Sequence, residues 1–285
     1  MTQILLVGTA TLDIVFQFSG YPSEDAEVRA NGLRMCRGGN ASNTAVVLSQ
    51  LGHRCSFVGV LADVPETAVI LDDFARFGIN ASVCPRVPGR PPTSSIQLTP
   101  HSRTIVHYRD LPELTAEQFA TVDLSSFGWV HFEGRNVPEL LKMLALVKAI
   151  RPDLPISIEI EKPREGIDEV FRYASLLIAS KGFAASRGFD APESFLQWLR
   201  SASDGAEVVV AWGEFGAFGI DGKGMLSSSC AYPPKEIIDT LGAGDTFNAG
   251  VLSAMINNMG FSSAIEQGCR LAGKKCGFFG FHLAQ

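Results

Sequence analysis

The sequence has few features of a metal-binding or disulfide-stabilised protein. Its six cysteines are scattered along the chain, and no two of them form a C-x-x-C pair. Its five histidines include no H-E-x-x-H pattern. The sequence therefore indicates neither a zinc site nor a disulfide framework. We expect reduced cysteines, which are typical of a cytoplasmic protein.

Long apolar runs and basic segments are missing as well. Without a stretch of about 20 apolar residues, the sequence predicts no membrane-spanning helix. The N-terminal apolar run has no basic region and soon reaches Asp13, which is not the pattern of a signal peptide. The net charge of −6 argues against broad contacts with nucleic-acid phosphates. We expect a soluble cytoplasmic protein that has neither a membrane nor a nucleic-acid partner.

What the sequence does contain is an α/β pattern. Hydrophobic residues make up 46% of the 285 residues and charged residues only 19%, which suits strands buried on both faces. From residue 129 onward, apolar runs alternate with helical segments. The predicted strands are 129–132, 156–160, 175–180 and 207–212, and the predicted helices are 138–150, 193–201, 244–258 and 262–277. This alternation predicts a mostly parallel sheet flanked by helices.

Two segments lie outside the alternation and contain no crossover helix. The first, at about 14–36, includes a second β-like run at 27–29. The other, at about 92–109, turns back over 99–102. We interpret both as hairpins that form a small separate sheet within a single domain of residues 1–285. Such a sheet can cover a ligand site or pair with another subunit.

Polar residues near the start of the chain indicate a ligand site. Asp13 comes just after a buried first strand at 4–7, and ligands of a parallel sheet lie beyond the carboxyl ends of its strands. Farther on, Gly39 precedes a predicted helix. Asn40 and Asn43 are three residues apart, so both amides project from one helix face and can bind a polyhydroxy ligand. The alternatives are a turn aspartate at Asp13 and an N-cap at Asn40.

More polar and glycine residues follow the later strands, at the edge where the ligand crevice of such a sheet lies. These residues are Glu133-Gly134-Arg135-Asn136, Glu159, Glu161-Lys162-Pro163-Arg164-Glu165, Ser180-Lys181 and Gly213-Glu214-Phe215-Gly216. Any one of these groups is ordinary loop composition. Their accumulation at one edge of the sheet indicates a site.

The loop Asp239-Thr240-Leu241-Gly242-Ala243-Gly244-Asp245 follows a β-like run at 236–238 and opens a long apolar segment. Gly242 and Gly244 allow a tight turn and a close approach to a ligand. The first amides of the following helix, at the positive end of its dipole, form a phosphate-binding position. Asp245 is then either a helix cap or a general base that takes a proton from an alcohol while the amides hold a phosphoryl group.

Two commoner phosphate-binding motifs are not matched. After the glycines at 242 and 244, Phe247 occupies the third glycine position of the dinucleotide fingerprint. The segment 268–275 approaches the P-loop pattern, but it ends in Lys275 where Ser or Thr is required. That segment also lies in the middle of a predicted helix, so we treat the match as chance.

Several blocks together resemble those of a known family. The blocks are Asp13, G-G-N-A-S-N at 38–43, R-T-I-V at 103–106, E-G-R-N at 133–136, E-K-P-R-E at 161–165, the stretch 239–249 and A-G-K-K-C-G at 272–277. Through them the chain resembles the ribokinase-like (PfkB) carbohydrate kinases over nearly its whole length. The G-A-G-D loop at 242–245 is specific for that family. The G-G-N, E-G-R-N and E-K-P-R-E blocks are similar to its ketohexokinase (fructokinase) group.

The resemblance implies a ribokinase-like three-layer α/β fold, with a mostly parallel central sheet, flanking helices and a small β-sheet lid. It implies ATP-dependent phosphorylation of a ketohexose hydroxyl, with fructose as substrate and fructose 1-phosphate as product. Magnesium (Mg2+) would arrive with ATP, and a monovalent cation such as potassium (K+) would lie near Asp239. Two chains would form a homodimer through their lids.

The resemblance also implies roles for individual residues. Asp245 is implied as the catalytic base, with Gly242, Ala243 and Gly244 as the anion hole. The implied sugar-binding residues are Asp13, Gly39, Asn40, Asn43, Arg103, Glu133 and Arg135, together with Asp25, which reaches the sugar of the other subunit. The implied ATP-binding residues are Ser180, Trp212, Gly213, Gly216, Gly242, Gly244, Cys276 and Gly277.

Some positions depart from the family pattern. Ser102 stands where ketohexokinases carry an Asn directly before the lid arginine, which leaves the exact sugar open. The Asn-x-x-Glu motif of many members is not evident, and the matching strand end reads Ser180-Lys181-Gly182-Phe183. The alternatives are a kinase for another sugar, a sugar acid or a nucleoside, and a non-catalytic sugar- or nucleotide-binding regulator on the same fold.

Overall fold

The computed structural model describes residues 2–99 and 102–283. Its strands are β1 (Gln3–Val7), β2 (Thr11–Gln17), β3 (Gly32–Gly38), β4 (Arg54–Val58), β5 (Leu61–Ala62), β6 (Arg86–Val87), β7 (Thr93–Leu98), β8 (Arg103–Tyr108), β9 (Trp129–Glu133), β10 (Ile156–Ile160), β11 (Leu176–Ser180), β12 (Glu207–Ala211), β13 (Ala217–Ile220) and β14 (Leu226–Ser229). Its α-helices are α1 (Asn40–Gln50), α2 (Ala68–Arg76), α3 (Ala116–Phe119), α4 (Val137–Ile150), α5 (Lys181–Ser186), α6 (Pro192–Ala202), α7 (Ala243–Ile256) and α8 (Phe261–Cys276). Among these described residues, no helix is both long and apolar enough to cross a membrane.

The larger sheet has the strand order β14-β13-β12-β11-β10-β9-β1-β4. The strands from β4 to β12 in this sheet are parallel to their neighbours, whereas β13 and β14 add an antiparallel edge. Strands β9 and β10 are buried along their whole length, as expected when helices cover both faces of a sheet. The predicted ribokinase-like fold with a mostly parallel central sheet is confirmed.

Successive residues of a strand point to opposite sides of the sheet, so apolar strands give it two apolar faces. Helices cover both of these faces. In β1, Leu5 and Val7 belong to the apolar cluster that contains the buried residues of α4 and α6. Ile4 and Leu6 belong to the other cluster, with the buried residues of α1, α7 and α8. The three layers of the fold therefore enclose two apolar cores, one on each side of the central sheet.

The smaller sheet has the order β3-β2-β7-β8 and forms the predicted lid. Strands β2 and β3 pair antiparallel, as do β7 and β8, and the two hairpins join through a parallel β2–β7 pair. The lid therefore begins at Thr11 and includes residues up to Gly38, which extends the predicted limits of 14–36 on both sides. The predicted turn at 99–102 lies partly outside the described residues, because 100 and 101 are not among them.

Two local predictions were wrong. The β-like run at 27–29 is not a strand, because residues 24–31 form a turn and irregular backbone before β3 begins. The run at 236–238, before the glycine loop, is not a strand either. Instead, the amides of Ile238 and Asp239 donate to the carbonyl oxygen of Cys276, at 2.8 and 3.2 Å. The segment before the glycine loop is thus held by the end of α8 and not by a neighbouring strand.

The antiparallel edge of the larger sheet was not predicted from the sequence. Strand β13 reads Ala-Phe-Gly-Ile and β14 reads Leu-Ser-Ser-Ser. Glycine and serine interrupt the apolar alternation in both strands, so neither gives a strand signal of its own. Instead, β13 is held in the sheet by antiparallel pairing with the strongly apolar β12.

Candidate active site

A cavity of about 490 Å³ lies between the carboxyl ends of the central strands and the lid. It gathers most of the residues that the sequence assigned to a site. The predicted residues that line it are Asp13, Gly39, Asn40, Asn43, Arg103, Glu133, Arg135, Ser180, Gly242, Ala243, Gly244 and Asp245. Asp25, Trp212, Gly213, Gly216, Asp239, Cys276 and Gly277 do not line this cavity.

The glycine loop leads into α7, a largely buried helix of 14 residues. Gly242 is the residue before the helix and has a left-handed backbone, with φ at 79°. A side chain at this position would overlap the ring of Phe281, so the turn requires glycine for two reasons. Asp245 is the third residue of α7 and forms no capping hydrogen bond. The capping role considered for Asp245 is therefore not observed.

Asp245 is a buried carboxylate held by one amide. Only 7% of its surface is exposed, and its Oδ2 accepts a hydrogen bond of 2.7 Å from Nδ2 of Asn43. Burial raises the pKa of Asp245 to about 7, against the stabilising hydrogen bond from Asn43. The negative charges of Glu161 and Glu133 add to the rise, and Arg37 opposes it. A carboxyl group with a pKa near neutrality is suited to act as a general base.

Glu159, which the sequence placed at a strand end without a role, is a second buried carboxyl of the cavity. Its Oε1 accepts from Asn248 at 2.9 Å and from Asn40 at 3.2 Å. Within the described part of the chain, its Oε2 is buried and has no hydrogen-bond partner. Burial, followed by the charge of Asp245, raises the pKa of Glu159 well above its usual value. The negative charge of Asp245 therefore opposes ionisation of Glu159.

The lid contributes one row of polar side chains. Across the sheet, Asp13 is paired with Ser94, and Ser94 is paired with His107. All three line the cavity, because paired residues of neighbouring strands face the same side. The Ser94 hydroxyl lies 3.3 Å from Nδ1 of His107, and Thr11 donates to Asp13 at 2.7 Å. Asp13 is therefore a residue of a lid strand and not a turn aspartate.

Sequence reasoning missed Ser94, His107 and Asn248, although each had a signal. His107 alternates with Arg103 and Ile105 along β8, and alternate residues of a strand share a face. Asn248 lies three residues after Asp245 on the same side of α7. Ser94 had only its place in the predicted hairpin, because its pairing with Asp13 joins two separate hairpins.

Asn40 and Gly39 lie at the start of α1. Gly39 precedes the helix with φ at 96°, and a side chain there would overlap the carbonyl oxygen of Thr9. Asn40 is the first helical residue and does not cap the helix. Its amide instead donates to Glu159 and Glu161, both at 3.2 Å. The N-cap alternative for Asn40 is therefore wrong, and the amide faces the cavity.

Glu133 and Arg135 support the cavity from the end of β9. Oε2 of Glu133 accepts from the backbone N–H of Thr9 at 2.5 Å. Arg135 lies 3.8 Å from Glu133 and donates to Glu113 at 2.6 Å. Burial raises the pKa of Glu133, and the positive charge of Arg135 opposes that rise. Both side chains therefore use part of their hydrogen-bonding capacity for contacts within the protein, at the wall of the cavity.

Among the residues predicted to bind ATP, Ser180 ends β11, and Trp212, Gly213 and Gly216 follow β12. Ser180 caps α5 by accepting from the N–H of Phe183 at 2.9 Å, and its hydroxyl donates to the carbonyl of Glu161. Beside it, the ammonium of Lys181 lies 5.9 Å from the ring centre of Trp212 and 5.4 Å from that of Phe215. Of the predicted ATP residues, Ser180 and the glycines of the loop reach the cavity itself.

Asp239 does not present a free carboxylate for a potassium ion. Its Oδ2 lies 3.4 Å from the ammonium of Lys275 and 3.5 Å from the guanidinium of Arg34. Its Oδ1 accepts from the N–H of Leu241 at 2.9 Å. Asp239 is 2% exposed and Lys275 is fully buried. The charge of Asp239 is therefore already balanced by side chains, so the predicted potassium contact does not fit this carboxylate.

Comparison with known proteins finds relatives that match nearly the whole chain. The sequence profile of the pfkB family carbohydrate kinases matches residues 1–280. Ketohexokinase of Mus musculus is 41% identical over 98% of this chain and 97% of its own length. A fructosamine kinase of Bacillus subtilis is 26% identical over 85% of this chain and 84% of its own. The solved adenosine kinase of Sinorhizobium meliloti superposes with a TM-score of 0.82 at 19% identity, covering 98% and 95% of the two chains, and shows the same fold.

Proposed function

Since the chain belongs to the pfkB family of carbohydrate kinases, we propose that it transfers the γ-phosphoryl group of ATP to a hydroxyl of fructose, giving fructose 1-phosphate. Family membership makes it an ATP-dependent sugar kinase. The choice of a ketohexose rests on the 41% identity with mouse ketohexokinase. The observation that carries the mechanism is the position of Asp245, a buried carboxylate in the first turn of α7, directly after the glycine loop.

Asp245 acts as the base in the proposed reaction. The hydroxyl of the sugar donates to the free oxygen of Asp245, and its proton passes to this carboxylate as the oxygen attacks the γ-phosphorus. A new O–P bond forms while the bond from phosphorus to the bridging oxygen of ADP breaks. A carboxyl whose pKa burial raises to about 7 accepts this proton more readily than an ordinary aspartate does.

The backbone of the glycine loop stabilises the charge on the transferring group. The first N–H groups of a helix have no partner within the helix, and those after Gly242 point to one place at the positive end of α7. Fixed donors of this kind stabilise the transition state because they need no reorganisation during the reaction. Magnesium would enter with ATP and, when bound, would neutralise charge on the phosphates. Arg103 adds a positive charge from the lid side of the cavity.

The sugar is proposed to bind against the lid and the start of α1. Asp13, Asn40 and Asn43 line this part of the cavity, where carboxylate and amide groups can bind several hydroxyls at once. His107 and Ser94 complete the wall on the lid side. Burial lowers the pKa of His107, so the neutral imidazole is favoured there. A neutral ring can donate to one hydroxyl and accept from another.

We further propose a homodimer through the lids. Met35, Ile14, Ser95 and Val106 are paired across the four lid strands, on the face opposite to Asp13. Met35 and Val106 leave 53% and 62% of their surfaces exposed, so this outer face presents apolar area to solvent. Asp25 lies on the exposed loop before β3 and does not line the cavity of its own chain. That position supports a role for Asp25 at the site of a second subunit.

The function is tested with a panel of acceptors. ADP release is measured with fructose, ribose, tagatose, psicose, 2-keto-3-deoxygluconate and adenosine, and phosphorus NMR identifies the phosphorylated hydroxyl. We expect fructose to have the highest kcat/KM and the product to be the 1-phosphate. A higher kcat/KM for another acceptor would replace fructose as the substrate while leaving the kinase mechanism intact. The departure at Ser102 makes fructosamines a useful addition to the panel, because the similar Bacillus subtilis protein is a fructosamine kinase.

A further inference from the structure

Arg37 is a buried arginine to which the proposed mechanism gives no role. It lies in β3, and only 3% of its surface is exposed. Its Nε donates to the carboxylate of Asp73, on α2, at 2.8 Å. Its guanidinium also lies 5.8 Å from the ring centre of Phe74 and 5.6 Å from that of Phe281. These contacts fix the guanidinium from three sides, so it is a rigid group.

The remaining side of the guanidinium faces the site. Nη1 of Arg37 donates to Oδ1 of Asn43 at 2.6 Å and to the hydroxyl of Ser42 at 2.9 Å. Nδ2 of the same Asn43 amide donates to Oδ2 of Asp245 at 2.7 Å. A continuous chain of hydrogen bonds therefore runs from Arg37 through Asn43 to Asp245.

The chemistry of the three groups allows only one orientation of the amide. An arginine has donors and no acceptor, whereas an ionised aspartate has acceptors and no donor. The Asn43 amide has its acceptor on one side and its donors on the other. If it were reversed, its oxygen would face the Asp245 carboxylate and its NH2 group would face the guanidinium of Arg37. Both contacts would then be repulsive, so the arginine sets which end of the amide meets the base.

We propose that Arg37 is a positioning residue for the phosphoryl-transfer reaction, which acts through the Asn43 amide to orient Asp245 and keep it ready to accept a proton. This inference rests on the proposed function, because it concerns the base of that reaction. The hydrogen bond from Asn43 occupies Oδ2, so the other oxygen of Asp245 is left for the hydroxyl of the sugar. A reversed or mobile amide would leave the direction of that oxygen unspecified.

Several carboxyl groups near Asp245 oppose its ionisation, so groups that favour the ionised form matter for its role as a base. Glu133 at the end of β9, Glu159 in β10 and Glu161 after β10 all place carboxyl groups on its side of the cavity. Glu161 and Glu133 raise the pKa of Asp245, and the charge of Asp245 acts in the same way on Glu159. Asn43 and Arg37 are the groups that oppose this rise. Without them, the pKa of Asp245 would rise further and less of the carboxylate would be ionised at neutral pH.

The test compares Arg37→Met with Arg37→Lys. In the methionine variant the amide is free to turn, and the nearest positive charge is gone. We expect kcat to fall on the order of 10- to 100-fold, which corresponds to one charged hydrogen bond. We also expect the acidic limb of the kcat/KM profile to move to higher pH. The lysine variant keeps a charge and one donor, so it should recover part of both losses.

Asp73→Asn is the matched control. It removes the charge of Asp73, the ion-pair partner of Arg37, but leaves the contact of Arg37 with Asn43 in place. If Arg37 only ties β3 to α2, Asp73→Asn and Arg37→Met should lose stability alike and keep the pH profile of the parent protein. Under the proposal, Asp73→Asn loses stability without moving the acidic limb.

Asn43→Asp is the second variant, and it decides the question if Arg37→Met does not fold. It keeps an acceptor for Arg37 but presents a carboxylate to Asp245, so the acidic limb should move further to high pH. Carbon NMR of aspartate-labelled protein follows the titration of Asp245 directly, with Asp245→Asn used for assignment. This titration needs no substrate, so it separates the proposal from failure of the fructose assignment. An Asp245 titration in Arg37→Lys that matches that of the parent protein would overturn the role of Arg37.

Discussion

Arg103 of the lid donates to the hydroxyl of Thr240 at 2.8 Å, and Thr240 lies two residues before Gly242. The two residues are 137 positions apart in the sequence. This hydrogen bond joins the lid strand β8 to the loop that leads into the anion hole. Because Arg103 also lines the cavity, the same side chain that joins the lid to this loop places a positive charge near the proposed site of phosphoryl transfer.

The first prediction separates these two roles of Arg103. Arg103→Met removes both the lid contact and the charge, and kcat should fall about 10²-fold, as for loss of a donor to a developing oxyanion. Thr240→Val removes the same hydrogen bond but keeps the charge, and should change kcat less than about threefold. Both values come from steady-state kinetics at saturating sugar and ATP. Equal losses in the two variants would mean that Arg103 serves the lid alone.

The second prediction concerns pH. Since Asp245 must be ionised to accept a proton, and burial raises its pKa to about 7, kcat/KM should rise with pH through the neutral range. The charge of Glu161 contributes to that raised pKa. Glu161→Gln should therefore move the acidic limb to lower pH. Glu165→Gln, which changes a nearby exposed carboxylate that is not among these causes, should leave the limb in place.

The sequence alone predicted some parts of the fold and of the candidate site, but not others. The alternation of apolar runs from 129 to 212 predicted the parallel core, because strand and helix periods are local properties of a chain. The G-A-G-D loop predicted the position of Asp245 for the same reason. The partner of Asn43 lies 202 residues away, and the lid pairs Asp13 with Ser94 from a separate hairpin. Such contacts depend on how elements pack, which no local pattern records.

The third prediction concerns the outer face of the lid. If this face joins two subunits, the protein should have twice its chain mass of 30.6 kDa in light scattering at micromolar concentration. Val106→Asp places a charge in the apolar row and should give the monomer. Leu226→Asp changes another exposed apolar residue, on β14, and the protein should remain a dimer. A monomeric parent protein would leave the lid as a cover of its own cavity.

The fourth prediction concerns the buried pair of Lys275 and Asp239. Lys275→Met leaves the buried Asp239 carboxylate with the partly exposed Arg34 as its remaining counter-charge among the described residues. Removal of one partner of a buried ion pair costs about 3–5 kcal/mol of the free energy of unfolding. Urea unfolding of Lys275→Met should show a loss of this size, and the added change Asp239→Asn should restore part of it. Lys274→Met, at the exposed neighbouring position, should lose much less.

The fifth prediction is the rate of Asp245→Asn. Asparagine retains the shape of the side chain and an oxygen that can accept from Asn43, but it cannot take the hydroxyl proton. We expect kcat to fall by at least about 10²-fold, because a general base contributes about 10²–10⁴-fold. The sugar KM should change only modestly. A folded Asp245→Asn protein with nearly normal kcat would contradict the proposed mechanism.

The same variant should also become relatively more stable as the pH rises. In the unfolded chain Asp245 ionises near its usual pKa of about 3.9, whereas burial raises its pKa in the folded protein to about 7. Between these values the folded state binds more protons than the unfolded state, so the stability of the parent protein falls as the pH increases. Asp245→Asn lacks this titration. Its free energy of unfolding, measured in urea against that of the parent protein, should gain up to about 1.4 kcal/mol per pH unit from pH 5 to 7. The difference should then level off above the folded pKa, and a difference that stayed constant over this range would mean that Asp245 ionises normally and is not the buried base described here.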